Sequence, residues 1–158
     1  MKAISLWEPW ASLIRTGAKT WETRSWGTSY RGELLICAAK GGLSRYELIS
    51  TLCLWAFQGG LAPLVGEPLN LNQVENPSWS GVRIEHLNFG KAVAIVNLID
   101  CKRTDDMTLG EIGTDKPFGN FNIGRYGWKL KLIEAIKPFS VKGKQGFFNV
   151  PDELLKGE

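Results

Sequence analysis

The chain has 158 residues, 19 Lys+Arg against 16 Asp+Glu, 44% hydrophobic and 22% charged, the profile of a soluble globular domain long enough to bury roughly 68–70% of its unfolded surface. A net charge of +3 excludes histone-like polycations and the disordered class, so any nucleic-acid contact must be local. One histidine, His86, rules out sites built on two, and the dispersed Cys37, Cys53 and Cys101, with no CxxC, read as reduced thiols of a cytoplasmic protein rather than a zinc site.

Lys2 to Leu6 alternates and predicts a short strand. Glu8, Pro9 and Arg15 interrupt the first apolar stretch, which does not fit a secretory signal. Pro9 at a first helical position, Trp10, Leu13 and Ile14 at helical spacing, and Gly17 as a stop predict a helix of about two turns. Lys19 to Arg24 is β-prone, and the nearly continuous apolar run Gly32 to Ala39 predicts a strand buried on both faces. Ser44 and Glu47 have capping-box spacing before a helix whose Leu48, Ile49, Leu52, Trp55 and Ala56 share a face until Gly59-Gly60. The longest uncharged stretch, Leu48 to Gly66, is broken by those glycines and Pro63, so no membrane span is expected.

Residues 61–90 carry Pro63, Pro68 and Pro77 without a sustained period and form a long excursion, of the kind that serves as a lid or binding loop. Ala92 to Ile99 predicts a second buried strand. Trp128, Leu130 and Leu132 alternate with Lys129, Lys131 and Ile133 in a third, and Phe147 to Val150 forms a last one before a helical turn at Pro151. Strict β-α-β alternation is absent. The order predicts a single α+β domain over 1–158, a small mixed β-barrel of five to six strands with short helices at its openings.

The densest cluster of functional groups is Lys19-Thr20-Trp21-Glu22-Thr23-Arg24. On a strand, Thr20, Glu22 and Arg24 project to one side, while Lys19 at the helix-to-strand corner can lean over the same opening. Arg suits bidentate anion recognition, Glu proton transfer or a base edge, and Lys a phosphate or carbonyl. A solvated strand with a Glu22–Arg24 ion pair worth ~0–1 kcal/mol is the plainer alternative.

Seven tryptophans add a second signal, because stacking on an aromatic ring contributes ~1–3 kcal/mol per base. Trp55 and Trp128 sit in apolar periods and read as core. Trp10, beside the motif, and Trp26, just after Arg24, are candidates for lining a cleft, and Trp79 in the excursion for closing over a base. Between Phe121 and Gln145, Arg125, Lys129, Lys131, Lys137, Lys142 and Lys144 face only Glu134, a footprint for phosphates or simply a soluble face. The loop Lys142-Gly143-Lys144-Gln145-Gly146 lets amides approach an anion but lacks Walker A spacing.

Gly17, Lys19, Glu22 and Arg24 after a short helix spell GxKxxExR, and with this motif the chain resembles the ASCH domain, a branch of the PUA-like superfamily. Ser5 to Ala11, Tyr30-Arg31-Gly32 with Leu34 to Lys40, Phe118-Gly119, Gly124 to Trp128 and Lys142 to Gly146 resemble further blocks of it. The resemblance implies a barrel with a cleft where the motif residues meet, suited to single-stranded RNA or a nucleoside. It places Lys19, Glu22 and Arg24 as candidate catalytic residues and Trp10, Thr20, Trp26, Arg125, Tyr126, Lys142 and Lys144 as ligand contacts. No cofactor, metal or membrane partner is called for.

Some members are amidohydrolases that deacylate N(4)-acetylcytidine, some are reported as ribonucleases, and others only bind; a protein-interaction module is a further reading. In the amidohydrolase pattern the motif lysine is base or nucleophile, which carries over to Lys19. A threonine stands there in the place of Glu22, so the role of Glu22 does not transfer. Glu8, Cys37 and Asn120 also depart from relatives that carry Gln, His and Asp.

Overall fold

A computed structural model describes residues 1–57 and 87–155. The order is β1 (Lys2–Leu6), α1 (Trp10–Arg15), β2 (Trp21–Arg24), β3 (Gly32–Ala38), α2 (Arg45–Phe57), β4 (Lys91–Arg103), α3 (Leu109–Ile112), β5 (Tyr126–Glu134), β6 (Phe139–Ser140) and β7 (Phe148–Asn149). The strands form one sheet in the order β2-β5-β4-β3-β1-β7, with β6 added to β4. Only β1 and β3 run parallel among the described pairs. The sheet curls into the half-barrel of a small α+β fold, as the sequence predicts. Register shifts at Ile36/Cys37, Ile95/Val96 and Leu98/Asp100 contribute to the curl, since each adds local twist.

Inside the curl, Ile4, Leu6, Leu34, Ile36, Val93, Val96, Leu98, Trp128 and Leu130 pack against Ala11 and Ile14 of α1. Trp128 is fully buried. The other side of α1 presents Leu13 to Leu48 and Leu52 of α2, Leu87 and Phe118. This short helix therefore plugs one end of the barrel and fixes where the following corner, Thr16 to Thr20, must lie.

The structure departs from the sequence reading in several places. β4 continues to Arg103, beyond Ile99, because its polar end is held by pairing with β5 (Lys102↔Gly127, Arg103↔Tyr126) rather than by burial. Between β4 and β5 the chain forms 3-10 turns at Thr104–Asp106 and Gly113–Phe118 flanking the short helix α3, a helix that the sequence reading did not predict. In α2 the capping box forms as predicted, Glu47 N donating to Ser44 Oγ (3.3 Å) and Ser44 N to Glu47 Oε2 (2.8 Å). Leu48 and Leu52 are buried there, but Ile49 is 42% exposed and does not share their face. The expected helix stop at Gly59-Gly60, the excursion up to 86 with Trp79, and the side chain of Trp55 lie outside the described residues.

Glu8 ties three pieces of the fold together. It is 1% exposed; Oε2 accepts from Ser12 N (3.1 Å), and Oε1 accepts from Ser12 Oγ and Asn88 N (2.8 Å each). Burial raises its pKa above the ordinary carboxylate value, against the pull of these hydrogen bonds. The folded state thus holds the Glu8 proton to higher pH than the unfolded chain does. Its contribution to stability is full below the unfolded pKa and declines as pH rises towards the folded one. Unfolding in urea across that range should show Glu8→Gln with a flatter decline than the parent; identical slopes would contradict this account.

Candidate functional site

Two tight anchors place the motif. Asp115, 3% exposed in the Gly113–Phe118 turn, accepts from Thr20 N (2.7 Å) and Trp21 N (3.1 Å) through Oδ1 and from Thr20 Oγ1 (2.7 Å) through Oδ2. Lys19 Nζ donates to the carbonyls of Trp21 and Phe118 at 2.6 Å each. Side chains from both segments thus staple the 113–118 turn onto the start of β2. Asp115 escaped the sequence reading because an isolated Asp in an apparent loop carries no signal of its own.

Glu22 lies between two cations. Its Oε2 is 3.5 Å from Lys19 Nζ and its Oε1 is 2.9 Å from Arg24 Nε. Arg24 Nη2 donates to Ser5 O at 2.8 Å. The Arg24 Nε–H points off the Glu22 oxygen, so this contact is an ion pair and not a hydrogen bond. Burial lowers the Lys19 pKa, while Glu22 and Asp115 oppose the shift. An ammonium here has three acceptors for its three protons.

Glu22 and Arg24 form the floor of a hollow of about 660 Å³, also lined by Ser5, Trp7, Trp10, Thr23, Trp26 and the wall Pro117 to Asn120, with Arg125. That is the ordinary size of a small-ligand site. Trp26 is locked edge-on against Trp128 (4.7 Å, 87°) and Phe147 (5.5 Å, 83°), and its carbonyl accepts from Trp128 Nε1. Trp7, 54% exposed, rests on Gly42, where a Cβ would come within 2.9 Å of the indole. Arg125 is held by donation from Nε to Asn120 O (3.2 Å) and from Nη2 to Thr23 O (3.4 Å).

Of the ten predicted site residues, Glu22, Arg24, Trp10, Trp26 and Arg125 meet around this hollow. Lys19 lies beneath its floor, 2% exposed, and faces carbonyls and a carboxylate instead of leaning over the opening. Thr20 is outside the cleft: its hydroxyl is taken by Asp115 and by Lys129 Nζ (2.9 Å), because the corner turns β2 only from Trp21 onward. Tyr126 lies outside it too, lining a separate hollow with Gly27, Thr28 and Cys101. Lys142 and Lys144 line an adjoining hollow. The basic run 121–145 is accordingly dispersed, with Lys129 over the Trp21 ring at 4.8 Å.

Trp7, Ser5 and Thr23 line the hollow without having been predicted as contacts, and Asn120 had stood out only as a departure from the family pattern. Trp7 follows directly on β1, and its position among the opening tryptophans was the available signal. No group of three or more His, Cys, Asp or Glu side chains among the described residues is placed to hold a metal ion. None of the described helices is long and apolar enough to cross a membrane.

The family model for the ASCH domain matches residues 4–138 of the chain. Comparison with curated proteins gives no match.

Removing the Lys19 ammonium leaves two buried carbonyls without their donor and Glu22 with Arg24 as its remaining cation. Lys19→Met, which keeps the stem, should therefore destabilise the fold by about 2–6 kcal/mol, from about 1–3 for each carbonyl left unpaired, measured by urea unfolding. A loss within ~1 kcal/mol, the range of exposed pairs, would show that the amine is not an anchor.

Proposed function

We propose, from the premise that the chain belongs to the ASCH domain family, that its cleft receives a nucleobase, presented by single-stranded RNA or by a nucleoside. The supporting observation is an ion-paired carboxylate and guanidinium on the floor of a hollow with three tryptophans in its lining. Stacking serves any base. The floor supplies discrimination: a carboxylate accepts from an exocyclic amine such as cytosine N4, and the Arg24 guanidinium donates to a neighbouring ring acceptor. Glu22 flanked by Lys19 and Arg24 leaves one positive charge in excess, which favours carbonyl or anionic oxygens over cations. Lys19 acts as a positioning residue that sets Glu22 and the 118–120 wall. Free thiols at Cys37 and Cys101 fit a reducing, cytoplasmic setting.

Deacylation of N(4)-acetylcytidine on the same floor is the second reading, favoured by Glu22 as a carboxylate held between cations at the cleft floor. Glu22 would take a proton from water as the hydroxyl adds to the acyl carbonyl. Arg24 would steady the oxyanion, and the C–N bond would break as the proton passes to N4, releasing acetate and cytidine.

Titration with labelled single-stranded RNA and with N(4)-acetylcytidine tests both. Binding should weaken with salt and fall by roughly tenfold in Trp7→Ala, the equivalent of removing one stacked ring. Acetate release that disappears in Glu22→Gln would establish the second reading, and binding of neither probe would defeat the first.

A further inference from the structure

Beside the base hollow lies a second one of about 990 Å³, and the two share Ser5, Trp7, Arg24 and Trp26 along their boundary. Their linings differ in charge. The first has Glu22 with Arg24 and Arg125, whereas the second has Arg24, Lys40, Lys142 and Lys144 and, among the described residues, no carboxylate. None of these three lysines has an ion-pair partner among the described residues. Four like charges around one concavity repel one another at a cost that an anionic occupant would reverse.

The walls are closely packed at two glycines. The stem of Lys40 lies over Gly90, whose φ of +71° is a conformation glycine adopts freely and where a Cβ would collide with that stem. At Gly143 a Cβ would run into the Ser5 hydroxyl, so the 142–146 loop touches the boundary with bare backbone. Ser5 Oγ and Arg24 Nε are buried polar atoms with no hydrogen-bond partner among the described residues, although Arg24 Nε keeps its ion pair with Glu22. Both belong to boundary residues. An oxygen seated at the boundary would relieve them, with the Gly143 loop as the piece that yields to admit it.

We infer that the second hollow takes the phosphate attached to the nucleoside whose base fills the first, so that the ligand is a nucleotide, free or within an RNA strand, and not an unphosphorylated nucleoside. This rests on the base-binding reading above. Arg24 then serves both hollows, paired with Glu22 under the base and facing the phosphate at the boundary, while Lys40, Lys142 and Lys144 hold the phosphate from the far side.

Quenching of tryptophan fluorescence by cytidine, cytidine 5′-monophosphate and a single-stranded oligocytidylate of about ten nucleotides, within the footprint of single-strand binders, tests the inference. The two phosphorylated probes should bind at least tenfold tighter than cytidine. In Lys142→Ala/Lys144→Ala that advantage should shrink, and for the oligonucleotide the plot of log affinity against log salt should flatten by about 0.7 for each phosphate that the variant no longer neutralises. Tighter binding of the oligonucleotide than of the monophosphate would identify the strand as the source of the phosphate; equal binding would identify the free nucleotide. Equal affinity for cytidine and its monophosphate, or an unchanged salt slope in the double variant, would overturn the inference and leave the base site standing. Lysine-dependent binding of the phosphorylated probes that is indifferent to Trp7→Ala and Glu22→Gln would instead sink the base reading and keep the phosphate site. Failure of all three probes would remove both.

Discussion

The site depends on one buried cation. Lys19 leaves the end of α1 at a corner where water is excluded, and its ammonium must find acceptors inside the protein. It finds Trp21 O, Phe118 O and Glu22, which belong to the motif strand and to the far wall of the cleft. Ordering one amine therefore fixes the distance between floor and wall. Asp115 makes the reciprocal bond from the wall back to Thr20 and Trp21, so the two segments hold each other with opposite charges on opposite sides of the joint.

What the cleft can do follows from how that joint distributes charge. Glu22 is kept from pairing wholly with Arg24 because Lys19 shares it from below. Arg24 in turn is kept from lying flat on Glu22 by its bond to Ser5 O. The result is a guanidinium with an Nη1 that has no partner among the described residues, at the boundary of two hollows. The tryptophans complete the surface in different ways. Trp26 is immobilised by Trp128 and Phe147, so stacking on it costs no side-chain ordering. Trp7 is steadied on one side by Gly42 and exposed on the other.

Much of the barrel was legible because its inner strands obey hydrophobic periodicity: Gly32 to Ala38 and Trp128 to Leu132 are recognisable without coordinates. The motif spacing was legible for the same reason, since strand alternation puts Glu22 and Arg24 on one side. It misled at Thr20, which lies before the strand begins and answers to Asp115 instead of to the pleat. Tyr126, a candidate through the family resemblance alone, is opposite Arg24 in register yet has its ring beside Gly27, on another surface. Asp115 could not be read at all, because its role arises where it meets Thr20, 95 residues away, at the corner; the boundary role of Ser5 arises likewise from its meeting with the distant Gly143 loop. The second hollow was legible only as a basic glycine-rich loop; its other wall, Lys40 and Phe89, comes from the segment that follows β3 and the approach to β4.

The three departures from the family pattern act in different layers. Glu8 is sealed into the base of α1 and never reaches the cleft. Cys37 pairs with Ser5 in the β1–β3 ladder and is shielded so well that burial pushes its thiol up to about 12, which makes it a neutral filler at every ordinary pH. Of the three, only Asn120 lines the hollow, where its backbone carbonyl accepts from Arg125 Nε and its side-chain oxygen from Asn122 N. With a neutral amide at this position, Glu22 is the one carboxylate among the described residues that line the hollow. The described lining therefore carries two guanidinium groups, Arg24 and Arg125, against one carboxylate, a balance that favours negative over positive charge in the hollow.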